Sequence, residues 1–147
     1  MAVQPIPDGY HTVTPYLVLE GAAKFIDFAK QAFGAEETFR MAGPDGKIGH
    51  AELKIGDSMI MLGDAPGAQS GPMPGMLHLY VPDADASYKR ALQAGATSLR
   101  EPADQFYGDR SAGVKDAFGN QWWLATHIED VAPEEMQKRA AAAMAQQ

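Results

Sequence analysis

Two histidines and a glutamate are the side chains in this sequence best suited to hold a metal ion. His50 and Glu52 stand two residues apart in IGHAELKI, and His78 lies in MLHLYVP. Both stretches are typical of β-strands, on which residues two apart point to the same face. A histidine and a carboxylate on one face can bind Zn or Mn. The alternative is that these groups hydrogen-bond to one another or lie at the rim of a cavity.

The loop DQFYGDRSA (104–112) brings an aromatic ring and a guanidinium close together in sequence. Tyr107 and Arg110 beside a cavity could clamp an anionic or planar ligand, because arginine presents a fork of donors. The alternative is a structural turn in which Asp109 or Asp104 pairs with Arg110.

Methionines and two adjacent tryptophans suggest an adaptable apolar wall. Met59, Met61 and Met76 could line a binding site or simply fill a core or an interface. Trp122 and Trp123 are the two tryptophans of the chain. Strand neighbours point to opposite faces, so one of them should meet a core and the other something else.

Composition excludes several classes of function. The chain has 147 residues, no cysteine and a net charge of −7. The missing cysteines rule out disulfides and thiolate chemistry and fit a cytoplasmic location. The negative charge argues against nucleic-acid binding and would suit a cationic small molecule, with solubility as the alternative. No apolar run is long enough to predict a membrane span, and no G-x-S-x-G, phosphate-cradling loop or H-E-x-x-H is present.

The order of predicted elements occurs twice. After an irregular lead-in (1–10), strand 11–20 and helix 21–35 precede three strands, 37–42, 48–55 and 58–64. The same order follows a Pro- and Gly-rich linker (65–74): strand 76–82, helix 83–96, strand 97–102 and a last hairpin around Phe118-Gly119. The pattern predicts a single α+β domain at 11–127, made of tandem βαβββ modules (11–64 and 75–127), with a C-terminal helical tail at 128–147.

A constant spacing supports the repeat. An offset of 62 residues lays Thr14 to Leu19 on Met76 to Val81, and Met59 to Leu62 on Gln121 to Leu124. The helix-ending glycines, Gly34 and Gly95, are 61 apart, which is a slip of one residue.

The end of the second module, DAFGNQWWLATH, resembles the D-P-[FD]-G-[NH]-x-[WILF] segment of the vicinal oxygen chelate superfamily, with Ala117 where Pro is usual. PYLVLEGAAKFIDFAKQAFGAEE is similar to the first strand and helix of that superfamily. It includes glyoxalase I, extradiol dioxygenases and the fosfomycin and bleomycin resistance proteins. FYGDR and WWLATHIEDV resemble its PhnB-like branch. The resemblance implies a curved, open mixed sheet around a cavity, helices outside it, and a homodimer.

Strand alternation assigns one apolar set of side chains to the helices and one mixed set to the cavity. The predicted ligand-binding residues are those of the mixed set and of the loop: Tyr16, Met59, Met61, Met76, His78, Tyr107, Arg110 and Trp123.

The resemblance also locates the metal ligands of catalytic members, at Thr14, Met61, Met76 and Trp123. None of these is a normal ligand for a hard or borderline cation. The usual metal centre is therefore expected to be absent, and no cofactor is predicted. The alternative is a divalent metal such as Zn, Mn, Ni or Fe at the displaced site His50, Glu52 and His78.

Three functions follow as hypotheses. The first is a protein that binds a cationic or aromatic small molecule in the cavity without a metal. The second is a metal-dependent lyase or isomerase of glyoxalase type. The third is a dimeric structural or interaction module. Whether the protein is an enzyme stays open at this point.

Overall fold

The computed structural model describes residues 2–67 and 70–146; residues 68 and 69 of the predicted linker lie outside that range. The chain divides into two compact units, the first ending at Gly75 and the second beginning at Met76. The division falls at the end of the Pro- and Gly-rich stretch.

The first unit is one helix on a four-stranded mixed sheet. Its elements are β1 (Tyr16–Leu19), α1 (Ala22–Phe33), β2 (Glu36–Ala42), β3 (Ile48–Ile55) and β4 (Ser58–Asp64). The strand order is β1-β4-β3-β2, with β1 parallel to β4 and the other pairs antiparallel.

Helix α1 is fixed at both ends by groups that the sequence places there. Gly34 has a φ of 66°, and this left-handed residue ends the helix. At the start, Asp64 Oδ1 of β4 accepts the backbone N–H of Gly21 and of Ala22, each at 2.9 Å. Burial acts to raise the pKa of Asp64, but these backbone donors outweigh it, so its pKa lies below the ordinary value.

The second unit repeats this arrangement and adds a helix. Its elements are β5 (Met76–Tyr80), α2 (Ala84–Gln93), β6 (Thr97–Asp104), β7 (Asp109–Lys115), β8 (Gln121–His127) and α3 (Pro133–Ala145). The order β5-β8-β7-β6 mirrors the first sheet, and β5 is parallel to β8. The predicted α+β fold with two βαβββ modules and a C-terminal helix is confirmed.

Two predicted boundaries are wrong. Strand β1 begins at Tyr16 instead of residue 11, since Pro15 has no N–H to continue the pairing. Thr14 therefore lies before the strand. The loop predicted at 103–110 shrinks to residues 105–108, because the backbone N–H of Gln105 bonds to the carbonyl of Asp109 at 2.7 Å and closes a hairpin.

The register confirms the internal repeat. Tyr16 pairs with Met61, and 62 residues later His78 pairs with Trp123. Glu52 pairs with Phe39, and 61 residues later Gly113 pairs with Arg100. The one-residue slip thus separates the two inner hairpins, where the second module has the longer turn before its last strand.

The predicted apolar faces are buried in both units. Leu17, Leu53 and Leu62 are 0–3% exposed on the α1 side of the first sheet. Val114, Trp122 and Leu124 are fully buried on the α2 side of the second. The structure also settles the facing of β7, which the sequence left ambiguous, since Ala112 and Val114 share the buried side. Within the described residues, no helix is both long and apolar enough to cross a membrane.

Candidate functional site

Four residues form a row across the polar face of the first sheet. The register aligns Tyr16 of β1, Met61 of β4, Glu52 of β3 and Phe39 of β2. Side chains two residues apart on a strand share a face, so His50 lies on this side next to Glu52. All five are at least partly exposed.

A chain of hydrogen bonds links the polar groups of this row. Glu52 Oε2 lies 2.9 Å from His50 Nε2, and His50 Nδ1 lies 3.2 Å from Tyr16 Oη. Tyr10, from the lead-in, donates its hydroxyl to Glu52 Oε1. The ring of Phe39 lies 6.0 Å from that of His50. The histidine and carboxylate hydrogen-bond to each other, which was the alternative to metal binding.

The equivalent row of the second sheet has different chemistry. It runs from His78 of β5 through Trp123 of β8 and Gly113 of β7 to Arg100 of β6. The six-membered ring of Trp123 lies against Gly113, because a Cβ there would come within 2.5–2.8 Å of three ring atoms. Only glycine leaves room for the indole to lie down on the sheet.

Arg100 completes this second row. Its guanidinium carbon lies 4.9 Å from the centroid of the Trp123 ring, within the range of a cation–π contact. Its Nη2 donates to Ser111 Oγ. Its Nε is buried and has no hydrogen-bond partner among the described residues. A buried unsatisfied donor costs about 1–3 kcal/mol, so the arrangement is not explained by stability alone.

A separate polar cluster surrounds Asp109 in the second unit. Tyr80 Oη donates to Asp109 Oδ2 at 2.8 Å, and Asp109 Oδ1 lies 2.8 Å from His127 Nδ1. His127 Nε2 lies 2.7 Å from Asp130. Hydrogen bonds to Asp130 and Asp109 raise the pKa of His127 above its ordinary value. Burial acts to raise the pKa of Asp109, but the bonds from His127 and Tyr80 hold it below the ordinary value.

Arg110 does not present a free guanidinium. It forms a bidentate pair with Asp85 of α2, at 2.6 and 3.0 Å, and donates to Asp104 at 3.0 Å. These are the bonds of the structural alternative, with Asp85 as a partner that the sequence did not suggest. Arg110 alternates with Ser111, so it lies on the helix side of the sheet. We therefore leave Arg110 out of the candidate site.

The other predicted site residues lie on the polar faces or in the turn. Met59 and Met61 are half-buried in the first unit. Met76 is 71% exposed on β5, and the ring of the exposed His78 lies 4.9 Å from that of Tyr80. Tyr107 lies in the 105–108 turn, edge-on to Phe106.

The residues present do not fit the divalent metal that the resemblance implies. The expected positions hold a hydroxyl, two thioethers and an indole, at Thr14, Met61, Met76 and Trp123. For the displaced site, His50 and Glu52 lie in the first unit and His78 in the second. Across residues 2–67 and 70–146, no three His, Asp or Glu side chains are grouped so that they could hold a metal ion.

Sequence reasoning missed Tyr10, Arg100 and Gly113. Tyr10 lies in a stretch that gives no strand signal, and Arg100 lies on a short strand of weak pattern. The register of the repeat is the signal that could have found the last two, since it aligns them with Trp123.

Comparison with known proteins agrees with this fold. The family model of the Glyoxalase/Bleomycin resistance protein/Dioxygenase superfamily matches residues 11–124. The chain belongs to this superfamily. The superfamily prediction is thereby confirmed, while the PhnB-like branch stays a prediction.

Relatives within the superfamily span most of the chain. An uncharacterized protein of Mycobacterium bovis is 42% identical over 135 residues, covering 85% of this chain and 89% of its own length. Among solved structures, TioX from Micromonospora sp. ML1 has a TM-score of 0.64 at 23% identity, covering 79% of this chain and 99% of its own. A glyoxalase/bleomycin resistance protein/dioxygenase from Nocardioides has a TM-score of 0.61 at 20% identity, with 90% of each chain covered. At these identities the structures support the fold alone.

Proposed function

We propose that this protein binds a planar aromatic small molecule on the polar face of its second sheet, without the metal centre of catalytic superfamily members. The observation that supports this most is the pairing of Trp123 and Arg100. The indole stands at a position where the resemblance implies a metal ligand, and the guanidinium lies 4.9 Å from its ring. An indole cannot bind the ion but can stack on a ring.

The charge at this face favours a ligand that carries an acceptor such as a carboxylate. Ser111 is the one hydrogen-bond acceptor of Arg100 among the described residues, and the buried Nε has none. A carboxylate would offer the guanidinium a charge-assisted bond, which is stronger than a neutral one. Of the two ligand types expected from the sequence, the aromatic one is kept. The cationic one is not, because Arg100 would repel it here.

Three matched probes test this function. Naphthalene-2-carboxylate, naphthalene-2-carboxamide and 2-naphthylmethylammonium share one ring system and differ in charge. Isothermal titration should rank the carboxylate first. Trp123→Leu should weaken all three, and Arg100→Met should remove the preference for the carboxylate.

A control and a contradicting result follow from the same chain. Arg40→Met removes an arginine that pairs with Glu37 in the first unit, at 2.7 Å, and should leave probe binding unchanged. Equal affinity of the three probes, or unchanged binding to Trp123→Leu, would contradict the proposal. So would binding that requires stoichiometric Zn, Mn, Ni or Fe.

A homodimer and a cytoplasmic location remain part of the proposal. Sedimentation velocity of the full chain and of a chain ending at residue 128 would show the oligomeric state and the share of α3 in it. An unchanged dimer in the shorter chain would remove α3 from that role.

A further inference from the structure

We propose that Tyr16, His50 and Glu52 form a metal-independent proton-transfer site on the first sheet, which acts on an enolisable carbonyl compound. This inference goes beyond the proposed function and does not rest on it, since the residues belong to the other unit. It rests on the distances of 3.2 Å from Tyr16 Oη to His50 Nδ1 and 2.9 Å from His50 Nε2 to Glu52 Oε2.

The order of donors and acceptors follows from the chemistry of the groups. An ionised carboxylate can only accept, so His50 Nε2 carries the proton donated to Glu52. The other nitrogen of a neutral imidazole is then an acceptor, so the Tyr16 hydroxyl donates to His50 Nδ1. The tautomer is fixed by the carboxylate, as in a hydroxyl–histidine–carboxylate triad.

Tyr10 holds the far end of this chain. Its hydroxyl donates to the Glu52 oxygen that His50 does not use. Both carboxylate oxygens are therefore engaged, and the Glu52 side chain is held in one orientation. Orientation of the imidazole depends on Glu52 in turn, which makes Glu52 a positioning residue.

The reacting end is open to a ligand. Tyr16 is 49% exposed, and the register places Met61 beside it on the neighbouring strand. Phe39, 46% exposed, stands at the other end of the row. A hydroxyl flanked by a thioether and a phenyl ring suits a small carbonyl compound with an aryl or alkyl substituent next to its acidic C–H bond.

The step balances with protons alone. The C–H bond next to the carbonyl breaks, its proton goes to Tyr16 Oη, and the electron pair moves onto the carbonyl oxygen as an enolate. The original Tyr16 proton passes to His50 Nδ1, and Glu52 stabilises the imidazolium that forms. Tyr16 then protonates the enolate oxygen and regains its own proton from His50. The net change is keto-to-enol tautomerisation, and the reverse returns a proton to carbon.

Deuterium exchange measures this step directly. Phenylpyruvate is the probe, and loss of its C3–H signals in D2O with EDTA present is followed by proton NMR. The protein should speed exchange over buffer alone. Tyr16→Phe should reduce the catalysed rate about 100-fold, the scale of general acid–base catalysis. Glu52→Gln should lower kcat and leave KM unchanged, which loss of a structural contact alone would not do.

The control variant is Tyr88→Phe. It makes the same chemical change at a hydroxyl that donates to Ser98 at 2.7 Å in the second unit, and its exchange rate should equal that of the unchanged protein. Exchange no faster than in buffer would overturn the inference. Full activity in Tyr16→Phe, or activity abolished by EDTA, would overturn it as well. Probe binding and deuterium exchange are separate readouts, so each proposal can fail without the other.

Discussion

Trp122 Nε1 donates a hydrogen bond to Asp116 Oδ2 over 2.8 Å, and both residues are buried. The carboxylate also accepts from the backbone N–H of Phe118 and of Asn120, at 2.8 and 2.9 Å. One aspartate therefore closes the last hairpin turn and anchors the indole that fills the core of the second unit.

Replacing Asp116 by Ala should destabilise the protein strongly. The change leaves the indole N–H and two backbone donors without their acceptor, and each buried unsatisfied donor costs about 1–3 kcal/mol. We expect a loss of roughly 3–5 kcal/mol in the free energy of unfolding, measured by urea denaturation. Asp57→Ala, in the exposed turn of the first unit, is the matched control and should change it by about 0.5 kcal/mol or less. A loss as small as that in Asp116→Ala would show that the turn does not depend on this carboxylate.

Gly113→Ala should displace the indole of Trp123. The added Cβ would lie 2.5 Å from a ring atom of Trp123, and overpacking of this kind costs about 1–3 kcal/mol. The shift should change tryptophan fluorescence and reduce binding of naphthalene-2-carboxylate. Gly49→Ala is the control, since its Cβ would meet nothing closer than 3.6 Å. Unchanged fluorescence and binding in Gly113→Ala would mean that the indole does not rest on this glycine.

The pKa of His127 should lie above the ordinary histidine value, because Asp130 and Asp109 both bond to its ring. Its stabilising contribution is fully present below the unfolded-state pKa, and it is lost as the pH rises through the raised folded-state pKa. Proton NMR titration of the His127 ring measures this shift. Asp130→Asn should bring the midpoint down, and an unchanged midpoint would assign the shift to Asp109 alone.

Arg139 should tether α3 to the turn before β7. Its guanidinium forms a bidentate pair with Glu129, at 2.8 and 2.9 Å, and donates to the carbonyl of Phe106 at 3.1 Å. No residue of α3 is buried, so these bonds are its clearest attachment. Arg139→Ala should speed tryptic cleavage within α3, whereas Lys138→Ala, which removes a neighbouring cleavage site and no printed bond, should not. Equal cleavage in the two variants would contradict the tether.

Divalent ions should not stabilise the protein. Ions that bind the folded chain at 100 times their Kd would add about 2.7 kcal/mol. We expect Zn, Mn, Ni and Fe to leave the melting temperature unchanged in differential scanning fluorimetry. A saturable increase that is lost in His50→Ala or His78→Ala would revive the displaced metal site.

The sequence by itself determined the order of elements, the face of each strand and the family. These are local properties, because alternation along a strand and the residues of a turn are written in neighbouring positions. Trp122 under the helix side and Trp123 on the polar face follow from alternation alone, as does the lack of ordinary metal ligands at the four expected positions.

The tertiary structure decided which side chains meet. Arg100 reaches Trp123 across Gly113, and Tyr10 reaches Glu52, only because strand register and chain packing bring together residues far apart in sequence. Arg110 shows the same dependence, since its main partner is Asp85 on a helix that no local pattern connects to β7. Pairing energies of this kind depend on distances between elements, which the order of residues does not state.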